Sequence, residues 1–523
     1  MEVKEIKYAD ILIHNEVHYP NKIALYSNEQ SYTYEELNQV TSLYASKLIE
    51  MGVKKGDHVV LWSYNNANWF LNFLSIIKTG AVAVLMNYSI PVNDVVDLIN
   101  LTDSKFILYG RNKAVENDPD AIVKIHEKTG IPSKNILRIP DNDVYYKSLL
   151  EYNIDTCIVD NIIDEDDPHR NAVIIFTTGT TALPKAVQLS QYSIINDGNG
   201  YGDKYASVRG DSICNTLPMF HSFGLMVVTL YLHDAKTIYL HEIVKPSEVA
   251  KIVKVHETAD MSGVGAVYSS LIDYENFDSD IMPFIKICLI GGSVSNPTFF
   301  ENLEKRFKNA VFLNGYGQTE TSPALSMSGP NDSIEKRSTS VGSILPSAEV
   351  KIWDKEKGFL PTGEIGEVVA RGYFLMNGYY KMPADQQPID ADGWLHTGDL
   401  GYLDEENFLY LTGRIKDIIN KKGENISPVE IEQKIMENPA IKEVKVMGAP
   451  HHTMGESIEA CIVLHKDAVF SEKKMIDELR MKISHFKIPD HFWIFDSFPL
   501  SGNGKLDQRK LKEQMRQRLS TTL

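Results

Sequence analysis

A run of threonines, FTTGTTALPKAV at residues 176–187, follows the apolar stretch AVIIF. Thr177, Thr178, Thr180 and Thr181 surround Gly179, and Lys185 stands just beyond them. Hydroxyls and backbone N–H groups gathered in a tight loop, with a mobile cation at its end, are the chemistry that surrounds phosphate oxygens. The segment is not a Walker P-loop, which needs G-x-x-x-x-G-K-[ST], because no second glycine precedes Lys185. A Thr-rich surface turn is the competing reading of the same residues.

A second segment, NGYGQTE at 314–320, also follows an apolar run. Its glycines, Gly315 and Gly317, let the backbone approach a ligand closely. Tyr316 offers a stacking face, while Thr319 and Glu320 offer oxygens suited to phosphate and Mg²⁺. A plain turn with an aromatic anchor fits equally. A third segment, GWLHTGD at 393–399, runs on to GRIKD at 413–417 and then to Lys422 and Gly423. Asp399 can hold two ribose hydroxyls and Arg414 can reach a ribose or a phosphate, although such charges more often form surface ion pairs. A fourth, PLSGNGK at 499–505, presents Lys505 on a Gly-rich loop, where a solvated lysine is the plain alternative.

These segments need a scaffold, and the chain between them supplies alternating helices and strands. Thr33 and Glu36 form a capping box ahead of Leu37, Val40, Tyr44 and Leu48, and Gly52 follows as a stop. A strand is predicted at His58–Trp62 and an apolar helix over about 68–77. The runs AVIIF, KICLI (286–290) and AVFLN (310–314) read as buried strands. Such alternation implies α/β layers with largely parallel pairing. After residue 414 the pattern changes to short strands alternating with polar helices, enough for a small α+β unit. The expected division is therefore a large domain over 1–414 and a smaller one over 415–523.

Composition excludes several classes. A chain of 523 residues exceeds one hydrophobic core, and 43% hydrophobic with 24% charged residues is ordinary for a globular protein. The net charge of −17 argues against broad nucleic-acid or anionic-membrane binding. That charge lies before residue 415, since the remainder counts 18 Lys+Arg against 16 Asp+Glu. No window approaches a membrane-spanning length of apolar residues, so no integral membrane segment is expected. The charged N-terminus lacks an apolar h-region, and a cytoplasmic protein is expected. Cys157, Cys214, Cys288 and Cys461 are far apart in apolar surroundings and read as buried, reduced thiols.

In this order and spacing, the four segments resemble the adenylate-forming superfamily of acyl-CoA synthetases, peptide-synthetase adenylation domains and beetle luciferases. The resemblance spans roughly residues 20–515. It implies an α/β fold: a large N-terminal domain of layered helices and sheets, with a smaller mobile α+β C-terminal domain. It also implies ATP and Mg²⁺ as reactants, and acyl-AMP as the intermediate. The loop Thr177–Lys185 would cradle pyrophosphate, including Thr178, Gly179, Thr180 and Thr181. Gly291, Gly292, Asn314, Gly315, Tyr316 and Gly317 would line the adenine side. Thr319 would touch the α-phosphate and Glu320 would hold Mg²⁺. Asp399 and Arg414 match the ribose pair, Lys505 the lysine that offsets charge as carboxylate attacks phosphate, and Lys416 the hinge.

The sequence departs from the pattern at Ala182 and Ala186, which stand where the family has glycines. Gln191 replaces a histidine and Asn420 a lysine. An added methyl at 182 is expected to narrow the phosphate loop or to forbid φ > 0 there.

LPMFHSFGL at 217–225 resembles the F-H-x-x-G segment of acyl- and aryl-CoA synthetases. His221 would sit near the carboxylate and gate the thiol, with a satisfied core histidine as the alternative. The stretch after Phe220 holds no acid to pair with an α-ammonium group, so an uncharged acyl or aryl tail is expected. Glycines 291, 292 and 315 suggest a roomy site for a medium or longer fatty acid, with an aromatic acid as the alternative. The expected acceptor is CoA, approached past Lys421, Lys422 and Gly423. A separate acyl carrier protein's phosphopantetheine, or a relative that binds nucleotide without catalysis, would share the same motifs.

Overall fold

The computed structural model describes residues 1–523 except 28, 153, 178–183, 293–296, 452, 500–505 and 523, and the side chains of 298 and 520–522. The capping box forms as expected: Glu36 N–H donates to Thr33 Oγ1 at 3.2 Å, and Thr33 N–H to Glu36 Oε2 at 2.9 Å. It starts the helix Tyr34–Glu50, after which Gly52 takes φ +104°. The strand His58–Trp62 and the wholly buried helix Ala67–Lys78 follow where the apolar pattern puts them.

The apolar runs become the parallel centres of two large sheets. One has nine strands, in the order Ser343–Ile344, Ser326–Met327, Val311–Tyr316, Ile287–Gly291, Asp260–Gly263, Ser212–Asn215, Thr237–Leu240, Ile23–Ser27, Gln30–Thr33. The other has seven: Gly378–Tyr379, Lys185–Ser190, Asn171–Thr177, Val82–Leu85, His58–Trp62, Phe106–Tyr109, Ile136–Arg138. Antiparallel strands close the edges where the chemistry-bearing segments lie. The main core joins both sheets through Leu61, Ile175, Leu189, Leu289 and Leu313, with the helices Ala67–Lys78 and Ser222–His233 packed between. Because their strands are covered on both faces, they read as unbroken apolar runs rather than alternating ones.

A third sheet, of five antiparallel strands, ends with Leu395–Leu403 and Leu409–Arg414. The single turn Ile415–Asp417 leads into a fourth sheet built from Ile419–Lys421, Glu424–Ile426, Ile441–His451, Gly455–Leu464 and His491–Phe495. The helices Pro428–Met436 and Glu472–Arg480 cover one face of this sheet, with Ile431, Ile435 and Leu479 on Ile458 and Ile462. The helix Gln508–Thr522 covers the other with Leu511 and Met515. Among the described residues no helix is long and apolar enough to cross a membrane.

One cysteine departs from expectation. Cys214, Cys288 and Cys461 are buried, but Cys157 is exposed. It opens the helix Cys157–Asp164, whose buried face is made by Val159 and Ile163 instead.

Asp260 is a buried acid in the centre of the nine-stranded sheet. Burial pushes its carboxyl from an ordinary 3.8 up to about 6, against the lowering effect of hydrogen bonds from Tyr231 and from the Gly210 N–H. With the folded value above the unfolded one, this group favours the fold most below about pH 4, and that contribution is lost as pH rises toward 6. The melting-temperature difference between Asp260→Asn and the parent should therefore shift in the variant's favour from pH 4 to pH 7. A difference that stays flat across those pH values would show that Asp260 ionises normally.

Candidate active site

The strand Asn171–Thr177 turns back as Lys185–Ser190, with Thr177 opposite Lys185. The tip between them, holding Thr178, Gly179, Thr180, Thr181 and Ala182, lies outside the described residues. Ala186 is buried in the core cluster that holds Val84 and Ile174. Gln191, in place of the family's histidine, ties the N-terminal helix to this hairpin. Its Oε1 accepts from Tyr8 N–H at 3.0 Å, and its Nε2 donates to Asp166 at 2.9 Å.

Beside Lys185–Ser190 lies the short strand Gly378–Tyr379, with Tyr379 opposite Val187. The Lys185 ammonium stands 4.5 Å from the centre of the Tyr379 ring, within cation–π range. The Tyr379 hydroxyl donates to Glu320 Oε1 at 2.7 Å. Burial, followed by the Glu320 charge, raises the Tyr379 pKa, so the hydroxyl stays protonated and can donate. The loop cation and the predicted metal ligand are thus joined through one phenol. Sequence reasoning missed Tyr379, because only the register of the two strands brings it there.

The NGYGQTE segment begins in the strand Val311–Tyr316, where Gly315 pairs with Gly291. Asn314 is buried; its backbone N–H donates to Ser328 Oγ at 2.9 Å and its side-chain Nδ2 to the Ser340 carbonyl at 3.1 Å. Gly317 has no alternative here, since a Cβ on it would stand 1.7 Å from the Pro323 carbonyl oxygen. Gly292 follows the neighbouring strand at φ +87°.

Tyr316 and Gln318 both donate to Asp399 Oδ2, at 2.7 and 2.8 Å, and Arg414 Nε approaches Asp399 Oδ1 at 2.8 Å. Asp399 is 3% exposed, so its charge is matched by Arg414 and by donors instead of water. Burial, with Asp399 next to it, holds the Tyr316 pKa well above its usual value. Three side chains thus meet at the one Asp399 carboxylate. Gln318 is a second residue that the sequence reading did not single out.

Glu320 and Thr319 lie on the short turn Thr319–Thr321. Thr319 Oγ1 is 3.4 Å from the Ser222 hydroxyl, which brings the FHSFG segment alongside. His221 caps the helix Ser222–His233, with its ring 4.4 Å from that of Phe220. Asn65 holds the approach to this turn by donating to the Leu217 carbonyl at 2.9 Å and accepting from Met219 N–H at 3.0 Å. The glycine of the segment is obligatory, because a Cβ on Gly224 would meet the Pro218 carbonyl at 2.2 Å. The expected roominess at glycines 291 and 315 is corrected: Phe223 stands 3.1 Å from where a Gly291 Cβ would be, and Tyr201 stands 3.1 Å from that of Gly315.

Lys416 is exposed on the turn Ile415–Asp417, and Lys505 lies outside the described residues. Lys421 does not line an open approach: it is 8% exposed, with Nζ 2.8 Å from both oxygens of Asp490. Lys422 and Gly423 remain exposed on the turn beyond it. Among the described residues no group of three or more His, Cys, Asp or Glu is arranged to hold a metal. Mg²⁺ commonly relies on one or two carboxylates plus substrate phosphates, a donor set that Glu320 fits.

The chain matches the model of the AMP-binding enzyme family over residues 13–380, and that of the AMP-binding enzyme C-terminal domain over 430–505. It belongs to the AMP-binding enzyme family. The acyl-CoA ligase sidI of Beauveria bassiana is 30% identical, the match covering 91% of this chain and 86% of that one. The mitochondrial medium-chain acyl-CoA ligase ACSF2 of Bos taurus is 27% identical, with 93% and 84% covered. The o-succinylbenzoate CoA synthetase MenE of Bacillus subtilis, solved with its acyl-adenylate intermediate OSB-AMP, matches with a TM-score of 0.81 at 26% identity, over 97% of this chain and 98% of that one. Another structure of MenE holds ATP and a magnesium ion. The mixed α/β architecture, a large N-terminal part followed by a smaller C-terminal one, is the architecture of these enzymes.

Proposed function

We propose that the protein is an AMP-forming acid–thiol ligase. It activates a carboxylic acid with ATP to give acyl-AMP and pyrophosphate, then passes the acyl group to the thiol of CoA. The observation that carries this reading is the meeting of separate sequence segments at one edge. Tyr316, Gln318 and Arg414 converge on Asp399, while Lys185 reaches Glu320 through Tyr379. The segment 314–320 therefore grips the ribose-facing carboxylate Asp399 through Tyr316 and Gln318 and carries the phosphate-facing acid Glu320 itself, as a nucleotide requires.

In this reading Asp399 and Arg414 take the ribose, and Asn314, Tyr316, Gly317, Gly291 and Gly292 flank the adenine. The loop from Thr177 to Lys185 takes the β- and γ-phosphates. Mg²⁺, when bound at Glu320, neutralises phosphate charge. His221 lies on the acid's side of Thr319. The domain 415–523 turns about Lys416 and carries Lys505 to the reacting carboxylate. The acid is a medium or longer fatty acid, or an aryl acid. A cytosolic setting belongs to the same reading and is supported by four cysteines that form no disulfide.

The test is acid-dependent pyrophosphate release from ATP and Mg²⁺ across a panel of acids, with CoA in one arm and a phosphopantetheinylated carrier in the other. Thioester formation in the CoA arm is expected, and pyrophosphate release from no acid overturns the reading. Glu320→Gln keeps the shape and an acceptor for Tyr379 but removes the charge. It should lower Mg²⁺-dependent release by at least about tenfold, with little change in melting temperature. A variant that melts early yet keeps its specific activity would mark Glu320 as structural.

A further inference from the structure

Behind the paired glycines the structure holds two buried polar groups that the reaction above does not use. Asp197 and Tyr201 lie one turn apart on the helix Gln191–Asp203, so they share a face. Both are buried, at 0% and 1% exposure. Asp197 Oδ2 accepts from Ala324 N–H at 2.9 Å. Asp197 Oδ1 and the Tyr201 hydroxyl find no hydrogen-bond partner among the described residues. Buried polar atoms in folded proteins are nearly always paired, and leaving one unpaired costs roughly 1–3 kcal/mol.

Their position relates them to the acid. The Tyr201 hydroxyl is 3.2 Å from where a Gly315 Cβ would stand, and its ring meets Phe223 edge-on at 6.1 Å. Phe223 in turn faces Gly291 and is only partly buried, on the turn that follows His221. Ala324 lies just beyond the turn that carries Thr319 and Glu320. Gly291 ends one parallel strand and Gly315 stands next to last in its neighbour, at the edge where ligands bind in open α/β sheets. The two polar groups thus lie directly behind the strand ends and the turn that carry Gly291, Gly315 and Thr319, with the Phe223 ring between them and Gly291.

We infer that Asp197 and Tyr201 form a hydrogen-bonding subsite for an oxygen on the acid's tail, so that the preferred substrates are hydroxy or oxo acids and not plain hydrocarbon-chain acids. The inference rests on the ligase reading above. The kind of atom follows from the donors. Burial raises the Asp197 pKa well above its ordinary value, and burial likewise raises that of Tyr201, so the interior favours the protonated form of each. With Oδ2 accepting from Ala324, the Asp197 proton belongs on Oδ1. Two O–H donors on one helix face suit a single acceptor oxygen, which has two lone pairs. A site built to hydrogen-bond a substrate group discriminates strongly against the analogue that lacks it, because the site's own groups are then left unpaired.

The experiment compares kcat/KM for pyrophosphate release between acids of one chain length. The hydroxyl or keto oxygen is moved along the chain, and each acid is set against the unsubstituted and the amino-substituted acid. At one position the oxygenated acid should win by about 10–100-fold. Tyr201→Phe keeps the ring against Gly315 and removes one donor, and should shrink that ratio by about tenfold. Equal turnover of oxygenated and plain acids overturns the inference and leaves the ligase reading standing. Preference for the amino acid over the hydroxy acid overturns it as well, since the carboxyl would then be acting as an anion. So does a uniform loss across the panel in Tyr201→Phe. Release from no acid overturns both readings.

Discussion

Lys505→Ala is expected to slow acyl-adenylate formation by about 10²–10³-fold while leaving thioester formation from preformed acyl-AMP near the parent rate. In the first step a carboxylate attacks a phosphate, so an anion meets an anion and negative charge gathers in the transition state. A preorganised cation lowers that barrier, and the four-segment resemblance gives this role to Lys505. In the second step the attacked centre is an uncharged acyl carbonyl instead of an anionic phosphate, so the same cation has less to offset. Two separate assays decide the matter: pyrophosphate release without a thiol, and thioester formation from supplied acyl-AMP. Release at the parent rate would remove Lys505 from the chemistry, and equal loss in both would make it a general stabiliser.

The second large effect concerns motion. In the proposed reading Lys505 reaches the α-phosphate in the first step, yet a bulky thiol must later attack the acyl carbon bonded to it. One rigid arrangement cannot serve both steps. The chain between the third and fourth sheets is a single turn, Ile415–Asp417, with Lys416 exposed at its centre. Hinges commonly consist of a few residues at an element boundary that absorb a large φ/ψ change. Proline fixes φ near −65°, close to the value of a 3₁₀ turn, and so blocks such a change. Lys416→Pro should therefore keep acyl-AMP formation and lose most thiol transfer. Loss in both half-reactions would indicate general damage, and loss in neither would place the hinge elsewhere.

Much of the frame was legible because its causes are local. The capping box at Thr33 and Glu36, the strand His58–Trp62 and the apolar runs that became Asn171–Thr177 and Ile287–Gly291 each follow from turn chemistry or periodicity within a short window. The site was legible only as a set of segments. Which side chains meet depends on register between strands distant in sequence, as with Tyr316 and Asp399, 83 residues apart. Tyr379 and Gln318 carry no signature of their own, and their roles appear once the strands are paired. Lys421 misled for a related reason: a basic pair next to a glycine reads as solvated or ligand-facing, and nothing nearby announces Asp490, 69 residues on. The glycines at 291 and 315 misled differently. Absence of a side chain looks like space in a sequence, whereas in the fold the aromatic rings of Phe223 and Tyr201 take it up.

The Asp399 carboxylate has a consequence for timing. An ionised carboxylate offers about four acceptor positions, and Tyr316, Gln318 and Arg414 already occupy three of them. Two ribose hydroxyls cannot simply be added, so one resident donor must yield its place. Arg414 is the half-exposed one, and it is the last residue of its strand before the turn Ile415–Asp417. In the proposed reading, arrival of the nucleotide at Asp399 therefore slackens the anchor at the root of the arm that carries Lys505. Under the proposed reading, the enzyme registers that ATP is aboard before the arm is free to move.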